Sequence, residues 1–176
     1  MNAQHTAPQT ATHTASAHPA LELEIPPGLP VINYRRFVKA PPDLVFTAFT
    51  DPRHLRNWWG PRRMELVVCE VDLRVGGGYR FVSRAPDGQE FGFHGEYREI
   101  DRPNRLVNTF VFEGAPDHYA VDTAVFERVE GGTLIRGESV HDSVEARDAH
   151  VAAGMEPGMI ETMDRLDDLV AAAQTV

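Results

Sequence analysis

The chain has 176 residues, 42% of them hydrophobic, a single cysteine (Cys69) and a formal net charge of −9. That length suits one domain with a core needing no staples, and one cysteine excludes an internal disulfide or a thiolate metal cluster. The negative charge argues against nucleic acid and anionic membranes as partners, and no apolar run reaches the roughly 20 residues of a bilayer span. The N-terminus lacks the basic start and apolar stretch of a secretory signal, so a cytoplasmic protein is expected.

Residues 1–24 are rich in Ala, Thr, His, Gln and Pro and hold no aromatic residue. They carry too little apolar surface to offset ordering, which predicts a disordered leader before a ligand-binding domain over 25–176. The leader histidines His5, His13 and His18 have no spacing that suits a metal site. Order is expected to begin near Leu29.

The stretch VINYRRFV (31–38) is β-prone. Pro42 then suits the first position of a short helix carrying Leu44, Val45, Ala48 and Phe49, and Asp51-Pro52 restarts a second as N-cap and first turn. Gly60-Pro61 ends it. Six strands follow at 64–73, 79–84, 90–100, 106–112, 119–129 and 133–141, separated by Gly-Gly-Gly, Pro-Asp-Gly and Gly-Gly punctuation. Connections that short leave no room for crossover helices, so the strands pair antiparallel.

Asp142 and Glu145 resemble a capping box for a short helix stopped at Gly154. The last helix starts at Glu156-Pro157 and runs to about Ala173. Its stripe of Met159, Met163, Leu166 and Val170 faces the core, and its acids Glu161, Asp164, Asp167 and Asp168 face elsewhere. The fold class is therefore α+β: a curved seven-stranded antiparallel sheet under one long C-terminal helix, with a cavity between them.

Chemistry-bearing motifs are sparse. RVGGGYR (74–80) lacks the lysine and spaced glycines of a phosphate loop and reads as a sharp bend. Cys69 lies mid-strand and reads as a buried thiol. His54, His94, His118, His141 and His150 form no paired metal spacing, so no metal is expected. On the strand 90–100 one parity holds Phe91, Phe93 and Tyr97, and the other holds His94 and Glu96. The two tryptophans, Trp58 and Trp59, stand side by side at a helix end, about 100° apart if helical. One is expected to close the cavity mouth and the other to lean outward beside Arg62 or Arg63.

The ordered phrases APPDLVFTAFTDPRHLRNWWGP, DLRVGGGYRF, DGQEF, GEYREIDRPNRLV and GGTLIRGE, with the tail EARDAHVAAGMEPGMIETMDRLDDLVAA, resemble the START-related (SRPBCC, birch-pollen-allergen-like) superfamily. Within it they are similar to the branch named after the activator of the ninety-kilodalton heat-shock-protein ATPase, over about residues 30–173. The resemblance implies a helix-grip fold. It leaves three functions open: a binder of small apolar or amphipathic molecules, a polyketide cyclase or dehydratase, and a co-chaperone.

The expected ligand-binding residues are Trp58, Trp59, Tyr79, Phe81, Phe91, Phe93, His94, Tyr97, Phe110, His118, Met155, Met159 and Met163. No catalytic residue is assigned and no cofactor is expected; a homodimer is left open. Many relatives carry Gly-Trp where this chain has Gly158-Met159, so a more permissive cavity is expected.

Overall fold

The computed structural model describes residues 14–18 and 21–174. Its strands are β1 (Thr14–His18), β2 (Leu21–Glu24), β3 (Val31–Val38), β4 (Glu65–Val71), β5 (Gly78–Arg84), β6 (Glu90–Asp101), β7 (Arg105–Phe112), β8 (Ala120–Val129) and β9 (Gly132–His141). Its helices are α1 (Pro42–Thr50), α2 (Pro52–Trp58), α3 (Val144–Ala152) and α4 (Met155–Ala173). The strands form one antiparallel sheet in the order β1-β2-β3-β9-β8-β7-β6-β5-β4. The chain crosses from β3 to the far edge through α1 and α2, then returns strand by strand until β9 pairs with β3. α4 lies across the concave face. This is the helix-grip arrangement.

All seven expected strands form, and two more extend the sheet. β2 lies inside the stretch expected to be a disordered leader, yet it pairs with β3 and buries Leu21 and Leu23. The reason is the LELE alternation, which presents both leucines on the concave side while Glu22 reaches Arg35 on the other. His5 and His13 lie outside the described residues.

The short helices begin as their residues dictate. Pro42 and Pro52 occupy first turns, and the Asp51 carboxylate accepts the Arg53 backbone N–H at 2.8 Å. α3 is capped by Ser143, whose hydroxyl accepts from Ala146 N at 3.0 Å, one residue beyond the expected Asp142. The triple glycine makes the β4–β5 bend, where Gly76 N donates to Tyr97 O at 2.8 Å.

α4 buries Met163, Leu166 and Val170 as its stripe predicts. Its acids do not all face away. Arg36 of β3, 1% exposed, donates from Nη2 to Asp164 Oδ1 at 3.1 Å and to Asp167. Parity explains this: Arg36 alternates with Ile32, Tyr34 and Val38 on the concave face, so its guanidinium emerges beneath α4. On the opposite flank Arg165 donates to Asn57 O (2.9 Å) and Gly60 O (2.7 Å), tying α4 to the end of α2.

Candidate functional site

The register of the sheet sorts the polar residues. Tyr79↔Gly95, Phe81↔Phe93 and Ser83↔Phe91 pair across β5 and β6, and Tyr97↔Asn108 across β6 and β7. Asn108↔Asp122 and Phe110↔Ala120 continue into β8, and Asp122↔Ser139 into β9. All of these share the concave face with Phe126, which packs on Phe46 and Phe49 of α1. The result is an aromatic half at β5–β7 beside a polar patch at β7–β9.

A cleft of about 680 Å³ opens at the aromatic end. Its walls are Trp59, Gly60, Pro61, Arg63 and Met64, the β5–β6 hairpin from Ser83 to Phe93, and Ala153 at the end of α3. Trp59 lies on Phe81 (5.0 Å between ring centroids) and Phe93 (5.2 Å). Phe93 stacks in turn on Phe110 at 5.5 Å, and Phe110 on His150 at 6.3 Å. A continuous run of rings thus leads from the cleft to His150 of α3.

Both tryptophans turn inward, against the expectation that one would lean on the outer layer. Trp58, 3% exposed, donates Nε1–H to Ala48 O at 2.8 Å and packs on Phe49. Trp59 is no longer helical; its backbone is extended at the α2 C-cap, which frees it from the 100° rule and swings it onto the sheet.

At the polar end, Asp122 accepts the Ser139 hydroxyl at 2.6 Å, its only hydrogen-bond donor among the described residues. It keeps some accessible surface although it stands beneath the covering helices. Burial pushes its carboxyl up to about 6, and the Ser139 bond holds it down only in part. Tyr34 stands one row away over Gly137, where any Cβ would strike its ring. Its phenol is raised, first by burial and then by the Asp122 charge.

On the other side Asn108 Nδ2 donates to Tyr79 Oη at 3.2 Å, and Tyr79 donates to Thr109 O at 2.7 Å. Gly95 makes that second bond possible, since a side chain there would occupy the place of the Tyr79 ring and the Thr109 carbonyl. Burial raises the phenols of Tyr79 and Tyr97 as well.

His141 and His150 meet at 5.2 Å between ring centroids at the end of the patch. Burial, then the neighbouring His150, lowers His141 to about 4. Its Nε2 has no hydrogen-bond partner among the described residues, nor has the buried hydroxyl of Ser83 at the cleft.

The expected ligand-binding residues divide accordingly. Trp59, Phe91 and Phe93 line the cleft; Phe81, Tyr79, Tyr97 and Phe110 lie on the same face behind it. Met155 and Met159 are half-buried and Met163 is buried along α4. Trp58 belongs to the packing of α1 on α2. His94 is on the opposite face, its side chain 46% exposed and near Glu113. His118, 57% exposed, meets Asp142 at 2.9 Å in the β7–β8 loop region. Neither histidine joins the concave face. Tyr34, Asn108, Asp122, Ser139 and His150 were not expected there; the register between strands brings the first four together, and the seating of α3 adds His150.

Among the described residues no group of three His, Cys, Asp or Glu side chains is placed to hold a metal ion, and no helix is long and apolar enough to cross a membrane. Cys69 is a free, buried thiol whose pKa burial raises.

Among solved structures, a protein from Rhodobacter sphaeroides superposes with a TM-score of 0.80 at 27% identity, over 86% of this chain and 99% of its own. One from Chromobacterium violaceum gives 0.70 at 28% identity, over 80% and 96%. An AHSA1-like protein from Aeromonas hydrophila gives 0.65 at 24% identity, over 82% and 94%, which shows the fold alone. No curated protein matches. Residues 39–171 match the family described as "Activator of Hsp90 ATPase homolog 1-like protein". With that match over most of the chain and the helix-grip sheet beneath it, the chain belongs to this AHSA1-like family of the SRPBCC superfamily.

Proposed function

We propose that this protein binds a small apolar or amphipathic molecule, held between the sheet and α4 and entering beside Trp59. The observation that carries this reading is the aromatic-walled cleft of about 680 Å³, within the roughly 300–1,000 Å³ of small-molecule sites. Rings of Trp59, Phe93 and Phe110 offer flat apolar faces, and half-buried Met155 and Met159 can re-pack around ligands of different outline. A cytoplasmic setting goes with this reading, supported by a lone cysteine kept as a buried free thiol.

The test is a titration with the neutral dye N-phenyl-1-naphthylamine. Saturable binding with one site per chain is expected, and Trp59→Ala should weaken it about tenfold by removing one aromatic wall. Absence of saturable binding to the unaltered protein would overturn the reading.

A further inference from the structure

Asp122, on the concave face and partly exposed, is a carboxylate with one neutral hydrogen bond and, among the described residues, no ion-pair partner. The two buried arginines are engaged elsewhere: Arg36 with Asp164 and Asp167 of α4, and Arg147 with Asp148 and Pro26 O. Tyr34, one row away on the same concave face, donates its phenol to no side chain or backbone oxygen among the described residues. Both side chains keep some accessible surface, and a carboxylate drawn largely out of water is ordinarily paired with a cation. Two partly exposed polar groups on one face, close enough for the Asp122 charge to act on the Tyr34 phenol, offer a place to receive a ligand's polar end.

Resting on the cavity reading above, we infer that Asp122, with Tyr34, anchors the head of an apolar ligand that carries a protonated amine. An ammonium donates to the carboxylate and to the Tyr34 oxygen while supplying the missing positive charge. The aromatic floor of Phe93 and Phe110 between cleft and carboxylate suits a cation, whose approach is favourable over ring faces. The net charge of −9 adds a field that draws cations rather than anions. A ligand hydroxyl would meet the hydrogen bonds but leave the charge uncompensated.

Three probes of one shape separate these cases: 1-naphthylmethylamine, 1-naphthylmethanol and 1-naphthoate, titrated calorimetrically at pH 7.5. The amine should bind about tenfold or more tightly than the alcohol, with the carboxylate weakest. Asp122→Asn keeps the shape and the acceptor for Ser139, and should erase the advantage of the amine over the alcohol. Lowering the pH to 5 should erode the amine's advantage in the unaltered protein, because Asp122 titrates near 6. The other groups around this face are Tyr34 and Tyr79, which stay neutral, and His141, His150 and the Arg36 ion pairs toward its ends. The same pH series on Asp122→Asn subtracts their contribution.

Equal affinity for amine and alcohol, unmoved by the substitution or by pH, would overturn the anchor and leave the cavity standing. Failure of all three probes and of the neutral dye would overturn both.

Discussion

Trp58 and Trp59 are chemically identical neighbours with different work to do. Trp58 fills the junction of α1 and α2, with its indole N–H bonded to Ala48 O. Trp59 keeps part of its surface and forms a wall of the cleft. Trp58→Ala should therefore cost about 3–5 kcal/mol in urea unfolding, the range for deleting a buried aromatic. Trp59→Ala should cost less than half of that and act mainly on dye binding. A larger stability loss for Trp59 than for Trp58 would contradict this division.

Among the elements, β2 shows how little sequence an ordered strand needs. Four residues suffice because β3 already presents an edge, and Leu21 and Leu23 close the concave face beside Tyr34 and Arg36. Leu21→Ala should cost about 2–5 kcal/mol, and removal of residues 1–24 should lower the melting temperature by several degrees. An unchanged melting temperature would return this segment to the role of a dispensable leader.

The grip of α4 depends on Arg36, a buried charge whose two carboxylate partners are half-exposed. Removing both partners with Asp164→Asn and Asp167→Asn leaves that charge uncompensated and should cost about 3–5 kcal/mol. Arg36→Met removes the charge and keeps the volume, so it should cost less than half as much. Chemical denaturation of the two proteins side by side checks the order.

At the scale of the whole molecule, two concave-face groups pull the pH dependence in opposite directions. Asp122 is raised from 3.8 to about 6, so between those values the folded chain retains a proton that the unfolded chain has released. Its contribution falls as pH rises through that window. His141 is lowered from 6.5 to about 4, so the unfolded chain binds the extra proton and stability rises over nearly the same window. The two slopes offset each other. Asp122→Asn should therefore stabilise the protein at pH 7.5 by about 2–3 kcal/mol, with the gain vanishing below pH 4. It should also unmask a rise in stability between pH 4 and 6.5 due to His141. A mutant no more stable than the parent at pH 7.5 would show that Asp122 is already well satisfied.

Element order was legible because its determinants are local. Pro42, Asp51-Pro52, the Pro-Asp-Gly and Gly-Gly turns and the apolar stripe of α4 act within one or two turns of chain. The aromatic half of the concave face was legible too, since Phe91, Phe93 and Tyr97 alternate along a single strand. His94 shows the limit of the same reading: its parity placed it outside, and its chemistry alone had made it a candidate. What the sequence by itself determined was thus the succession of elements and the apolar pattern within each, because both are set by neighbours along the chain. Only the tertiary structure decided that Asp122, Ser139, Asn108 and Tyr34, which come from four strands, share one patch, and that Arg36 meets α4. Those contacts depend on the register between strands and the seating of one helix, where residues far apart in the chain first become neighbours.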